Sequence, residues 1–365
     1  MRLRLADESD AQDWDNFIIE NNRSAFFSLY NLFEWRRILQ NAYGYNSYYL
    51  IAENKNGIIG CFPLIYVKSS LLHNRLISLP FTDHGCGPSV ERQNIKVLTF
   101  LLDNARRLAI SLKARSIQIN SPQDYTLGSL SYVGYKRFYD YFTFILDLNQ
   151  PAVRLWANFK KQVRNSIKKA EKSGVEVTLG YTKESMKRVH AIHVNNMKRL
   201  GTPPHSKSFF LEMWNQMQPK GHIRTYLARY KGQDIAAVVI FPHRESVRWG
   251  MGVMLSEYRW LNPMYLLLWE AINWSKQKGY QVFDMGGSRA DSGNFDFKEG
   301  WIGKNQSNGK IIKLNHLHLL LGTDETNIVS VGNPRYMYLS NLWRKCVPFF
   351  IANSIGPYLR KQIAM

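Results

Sequence analysis

The sequence predicts an α/β (α+β) chain made of two similar halves in tandem, followed by a helical C-terminal segment. Three observations predict it. A strand–turn–strand–helix–strand order occurs twice, with the second copy roughly 170 residues after the first. The 365 residues are 45% hydrophobic and 13% aromatic, which is enough for two domains with separate cores. No apolar run reaches the roughly 18 to 20 residues that a membrane span needs.

The first copy opens at Ser47–Lys68, SYYLIAENKNGIIGCFPLIYVK. Apolar runs on either side of Asn56-Gly57 predict a hairpin, because that dipeptide adopts the positive-φ turn two strands need. In Asn94–Ser111, Val97, Leu98, Leu101, Leu102, Ala105, Leu108 and Ala109 recur at helical spacing. The strand Ser116–Asn120 (SIQIN) follows. The second copy opens at Ile223–His243, IRTYLARYKGQDIAAVVIFPH, with its turn at Lys231-Gly232. Pro263–Lys278 repeats the helical spacing, Gly279 stops it, and a strand begins at Gln281–Met285 (QVFDM).

These elements divide the chain into 1–148, 149–322 and a C-terminal segment, 323–365. From Tyr336 to Met365 the last segment reads as amphipathic helix, with Leu339, Leu342, Trp343, Phe349, Phe350 and Ile351. It is expected to pack back on the first domain. Its basic residues Arg344, Lys345, Arg360 and Lys361 also suit a peripheral membrane contact.

Composition narrows the function classes. The formal net charge is +20 and the pI is near 9.8, a field that attracts nucleic acid, nucleotide-linked sugars, coenzyme A or an anionic membrane face. A solubility surface would carry the same charge. Cys61, Cys86 and Cys346 are far apart and odd in number, so they read as buried free thiols of a reducing compartment. No Cys/His metal spacing, GxSxG elbow, HExxH, Walker loop or GxGxxG is present. The charged start MRLRLADESDAQDW has no signal-peptide core, so the expected location is the cytoplasm.

Two segments carry the chemistry. In Arg154–Val177, Phe159, Val163, Ile167 and Ala170 form one apolar stripe, and Lys160, Lys161, Arg164, Lys168, Lys169 and Lys172 fill the rest. Such a face is either simply solvated or a docking surface for phosphates. Asp284–Gly303, DMGGSRADSGNFDFKEGWIG, ends a strand and then reads as a glycine-rich loop free to approach a ligand.

The string Arg164–Val175, RNSIKKAEKSGV, resembles the signature that opens the second GNAT-like domain of FemAB-type peptidoglycan-bridge transferases. Phe297-Lys298 before Glu299-Gly300-Trp301 resembles the motif that follows the fifth strand of that domain. Met197–His205, MKRLGTPPH, and Ser78–Pro88, SLPFTDHGCGP, resemble stretches of FemAB-related proteins associated with exopolysaccharide and PEP-CTERM systems. His84 and Cys86 depart from the latter pattern. Together the matches span most of the chain.

The resemblance implies two tandem GNAT-like domains, the second catalytic, and transfer of an acyl or aminoacyl group to an amine of a cell-wall or exopolysaccharide precursor. It places Lys298 at the acyl-transfer centre with Phe297 beside it, and makes Arg199, Arg164, Lys168, Tyr258 and Trp301 the substrate-binding candidates. The tetrahedral transition state puts negative charge on the carbonyl oxygen, and a fixed cation there is worth about 3 to 4 kcal/mol.

The implied donor is a co-substrate, aminoacyl-tRNA or acetyl- or acyl-CoA, with no bound cofactor and no metal. The implied acceptor is an anionic nucleotide- or lipid-linked glycan precursor. The Q/R-x-x-G-x-G/A loop with which acetyl-CoA enzymes cradle pyrophosphate at a helix N-terminus is missing before Asn94 and Pro263, where Leu261-Asn262-Pro263 stands instead. That disfavours coenzyme A. The competing class is a non-catalytic GNAT-like module that binds anionic polymer or membrane.

Overall fold

A computed structural model of the chain describes residues 1–21, 29–84, 86–121, 134–322 and 334–364. Gly85 of the SLPFTDHGCGP segment and residues 323–333 of the C-terminal segment lie outside them. The chain forms two compact units. One comprises Met1–Asp140, Leu314–Tyr338 and Tyr358–Met365; the other comprises Tyr141–Lys313 and Leu339–Pro357.

The first unit contains β1 (Arg2–Leu5), α1 (Ala11–Asn21), α2 (Phe33–Tyr43), β2 (Asn46–Ser47), β3 (Leu50–Asn54), β4 (Gly57–Phe62), β5 (Ile65–Val67), β6 (Arg75–Ser78), β7 (Ser89–Val90), α3 (Ile95–Ser111) and β8 (Ser116–Ser121). One of its sheets has the order β1-β3-β4-β7, and in the other β8, β6, β5 and β2 are successive neighbours. The expected hairpin is present, with Leu50, Ala52 and Phe62 buried against Leu98, Leu101 and Ala105 of α3. Asn94 starts α3 by accepting the backbone N–H groups of Lys96 and Val97. α3 lies so close to β4 that a Cβ on Gly60 would meet the Val97 side chain at 2.7 Å. After α3 the chain returns as β8, parallel to β6.

Two histidines sit in this unit on β15 (Gly309–Leu320), where His316 stands opposite Asn120 and His318 opposite Gln118. Burial pushes His316 down to about 4 from the ordinary 6.5, and His318 to about 3. The unfolded chain therefore binds a proton at His316 below pH 6.5 that the folded chain refuses until about pH 4. Stability is full above 6.5, falls through that window and levels off below it, by about 3 kcal/mol from His316 alone. The denaturation midpoint should drop between pH 7 and pH 4.5, and His316→Gln should flatten the drop. An equal drop in wild type and variant would refute the assignment.

The second unit contains the Tyr141–Asp147 part of β9 (Lys136–Asp147), α4 (Ala152–Asn158), α5 (Lys161–Lys172), β10 (Glu176–Gly180), α6 (Lys183–Leu200), α7 (Lys207–Met217), β11 (Arg224–Tyr230), β12 (Gln233–His243), β13 (Ser246–Met254), α8 (Pro263–Gln277), β14 (Val282–Arg289) and α9 (Gly293–Ile302). Its strands follow the order β10-β11-β12-β13-β14-β9. Ala236, Val238 and Ile240 share a core with Val163, Ile167 and Ala170 of α5 and with Leu267 and Ala271 of α8. α6 packs against the same strands, and Thr225 there donates to the Met186 sulfur at 3.4 Å.

Three sequence expectations need correction. The apolar stripe from Phe159 to Ala170 is buried throughout. The chain nevertheless breaks at Phe159–Lys160, both extended, so the basic segment is two helices. Asp284–Gly303 is not a loop: the strand runs on through both glycines to Arg289, and Ser292 caps a helix by accepting the Phe295 N–H. The cysteines are free, but only Cys61 and Cys86 are buried; Cys346 is exposed.

The C-terminal segment forms α10 (Pro334–Cys346) and α11 (Phe349–Ile363). Within the second unit, Lys198 donates to the carbonyls of Trp343 and Arg344, closing the last turn of α10. Within the first, Tyr45 donates to Lys361 O and Arg75 to the carbonyls of Gln362 and Ile363, satisfying the end of α11.

Candidate functional site

Strands β13 and β14 run parallel but pair only over Ser246–Arg248 and Val282–Asp284. Beyond that point each continues, to Met254 and Arg289. Parallel strands that part in mid-course expose backbone and need something to fill the wedge.

A buried ion pair stands where they part. Arg248 of β13 donates to Asp284 Oδ2 of β14, and the two side chains are 7% and 8% exposed. Asp284 Oδ1 accepts from Thr143 Oγ1 and from the Gly286 N–H, both at 2.8 Å. The register against β9 shifts between Asp284 and Gly287, and Gly286 takes φ 72°, a left-handed value that suits glycine.

The bulge leaves the Gly286 and Gly287 carbonyls as acceptors for Lys298 Nζ, at 3.0 and 2.8 Å. Lys298 rises from α9 and is 4% exposed. Its ammonium lies 5.2 Å from the Trp249 ring centroid and 5.9 Å from that of Phe144. Burying an ammonium costs several kcal/mol unless carbonyl oxygens and aromatic faces replace water. Here both do, so the cation is fixed in place.

Phe297, the preceding residue, centres an aromatic group. Its ring lies 4.7 Å from Tyr265, 6.1 Å from Trp249 and 6.3 Å from Trp301. Trp301 is fully buried and stacks on Tyr265 at 6.1 Å. Burial raises the Tyr265 phenol above its usual range, against a hydrogen bond with Ser166 of α5 that lowers it. α5 is pinned to α9 by the Lys160–Glu299 ion pair and by a bond from Lys160 N to Gly300 O at 3.0 Å.

The predicted site residues thus fall into two sets. Lys298, Phe297 and Trp301 are brought together. Arg164 lies on the adjoining helix, half-buried, and its Nε has no acceptor among the described residues. Lys168 is exposed on the same helix. Arg199 is exposed near the end of α6 and donates to Asn196 Oδ1 at 3.3 Å. Tyr258 donates to Gln233 Oε1 at 2.8 Å and its ring lies 6.2 Å from Tyr230. No hydrogen bond or ring contact among the described residues ties these last three to the Lys298 group.

Sequence reasoning missed Trp249 and the partners of Asp284, Arg248 and Thr143. One signal was available: in RWGMGVM, two glycines interrupt a strand, which marks close approach. The Trp249 indole lies across Gly252, where a Cβ would meet it at 2.6 Å and the Met264 methyl at 2.7 Å. The indole N–H groups of Trp249 and Trp301 are buried without acceptors among the described residues.

The fold is that of two GNAT-like domains in tandem, and residues 157–299 match the family model of an acetyltransferase (GNAT) domain. Solved structures share the arrangement. A crystal structure of FemX is 14% identical, with a TM-score of 0.66 over 93% of this chain and all of that one. The structure of L-PGS from Bacillus licheniformis is 13% identical, with a TM-score of 0.56 over 93% of this chain and 98% of that one. A tandem GNAT protein from the clavulanic acid biosynthesis pathway is 11% identical, with a TM-score of 0.56 over 89% of this chain and all of that one. No curated protein matches the sequence.

Proposed function

We propose that the chain is an acyltransferase that moves an acyl or aminoacyl group onto an amine of a cell-wall or exopolysaccharide precursor, with Lys298 stabilising the oxyanion. The observation that carries this reading is the Lys298 ammonium, fixed by two main-chain carbonyls under the Trp249 ring. A cation held in place by its surroundings needs no reorganisation when charge develops, which is what makes such groups effective. Phe297 and Trp301 pack beside it as the apolar wall. Beside them, Trp249 Nε1 and Arg164 Nε are donors without acceptors among the described residues. Donors without acceptors suit a substrate rich in carbonyl or phosphate oxygens.

The donor favoured is aminoacyl-tRNA. In the second unit α8 begins with Pro263 directly after Asn262, a left-handed residue whose side chain makes no cap, so one backbone N–H is missing where pyrophosphate would bind. The Trp249 indole also covers the β13 backbone at Gly252, which is therefore not open to a ligand on that face. Lys168 and Arg164 then serve as phosphate contacts and Arg199 as a contact to the anionic acceptor, with Tyr258 at the far end of β13.

The test offers the purified chain charged tRNA, acetyl-CoA and acyl-carrier protein in parallel, with amine acceptors. Transfer from charged tRNA is expected; transfer from none of the three would sink the reading. Arg164→Ala and Lys168→Ala should each weaken charged-tRNA binding and reduce the slope of log affinity against log salt by about 1. An unchanged slope would leave α5 a solvated face.

A further inference from the structure

Among the described residues, one short stretch carries several exposed apolar side chains. Between Leu339 and Pro357, Leu339 is 60% exposed, Leu342 40%, Phe349 51%, Phe350 69% and Ile355 46%. Soluble surfaces scatter such residues singly, and a cluster marks a contact. α10 and α11 are joined by Val347 and Pro348 alone, so Phe349 and Phe350 stand at the joint between the helices.

The cluster is held outward rather than loosely packed. Trp343 of α10 is 7% exposed and points inward. Lys198 ties the last turn of α10 to α6. Gly356 of α11 lies against Pro204, where a Cβ would meet the proline ring at 2.5 Å. With the inner faces engaged, Leu339, Leu342, Phe349 and Phe350 are left at the surface.

Charge selects the partner. Arg344 and Lys345 are exposed directly before the joint. From Pro334 to Met365 the sequence carries five basic residues (Arg335, Arg344, Lys345, Arg360 and Lys361) and no acidic one. A protein partner with a greasy patch would need no such charge. Aromatic and aliphatic side chains flanked by Arg and Lys match an anionic bilayer, whose headgroups attract the cations while the interface accepts the rings.

We propose that the joint between α10 and α11 is a peripheral docking surface for an anionic lipid bilayer, with Phe349 and Phe350 entering the headgroup region and Arg344 and Lys345 on the phosphates. This does not depend on the acyl-transfer reading. It would seat the enzyme at a membrane without a spanning segment, and among the described residues no helix is long and apolar enough to span one.

The experiment is flotation of the full chain with vesicles of phosphatidylglycerol and phosphatidylcholine, against vesicles of phosphatidylcholine alone, at low and high salt. Binding is expected to the anionic vesicles, reduced by salt. Arg344→Gln with Lys345→Gln should weaken it about thirtyfold, following about 1 kcal/mol per basic residue near the surface. Phe349→Ser with Phe350→Ser should abolish the binding that survives high salt, with an unchanged melting curve because both rings are exposed. Absence of binding at low salt, or binding by both double variants equal to that of the wild type, would overturn the proposal. So would concentration-dependent self-association removed by the phenylalanine variant, which would make a second copy the occupant.

Discussion

Lys298→Met is expected to lower the transfer rate about 10²- to 10³-fold while acceptor binding is retained. Methionine keeps the length and apolar stem of lysine but removes the charge. The 5.2 Å approach to Trp249 should survive, since that contact is made by the end of a chain of similar reach. What is lost is the fixed cation beside the reacting carbonyl, a group that acts in the transition state and not in the ground state, so kcat should fall and acceptor affinity should not. The Gly286 and Gly287 carbonyls also lose a donor, although Gly287 O keeps its bond from Ser288 Oγ at 2.9 Å, so a stability cost of about 1–3 kcal/mol is expected alongside the loss of rate. Turnover and melting temperature must therefore be read together. Lys298→Arg separates the two effects, because it restores a cation. Turnover unchanged in the methionine variant would remove Lys298 from the chemistry and leave it a brace for the bulge in β14.

Asp284→Ala is expected to destabilise the second unit by about 3–5 kcal/mol, the cost of leaving a buried charge without its partner. Arg248 is 7% exposed and cannot turn to water without opening the sheet. The same carboxylate accepts Thr143 and the Gly286 N–H, so its loss also loosens the bulge that positions Lys298. Activity should fall along with stability. Removing both charges together, as Arg248→Met with Asp284→Leu, should recover much of the stability, because no uncompensated ion remains. Chemical denaturation measures both. A cost below about 1 kcal/mol for Asp284→Ala, the value of an exposed pair, would show the pair to be hydrated.

Much of the architecture is legible in the residues because periodicity reports which face of an element is apolar. The spacing in Asn94–Ser111 predicts α3, and Asn94 proves to be its cap. The spacing in Pro263–Lys278 predicts α8. The turn Lys231-Gly232 joins β11 and β12 as predicted, whereas the β3–β4 hairpin turns one residue earlier than predicted, at Lys55-Asn56, and Gly57 opens β4. The stripe Val163–Ile167–Ala170 predicts which side of α5 is buried. The Phe297–Lys298 segment is legible only as a pattern. Its glycine-rich run suggests a loop, because glycines break strands when no partner is considered, yet β9 pairs with β14 on both sides of a bulge and the strand continues. Likewise the string RNSIKKAEK cannot tell Arg164 from Lys168 by composition. One lies half-buried on α5 and the other in solvent, since a 400° rotation along a helix changes which neighbour each one meets.

The sequence by itself determined the two halves, the order of their elements, the basic helix and the positive field. Each of those follows from local preference and from the balance of apolar and charged residues. Only the tertiary structure decided that Lys298 is buried on the Gly286 and Gly287 carbonyls, that the Trp249 ring lies over its ammonium, and that Cys346 and the phenylalanines after it face outward. A side chain's surroundings are set by strand register, by a bulge of one or two residues and by which helix packs across it. Those are contacts between segments far apart in the chain, and no local pattern encodes them.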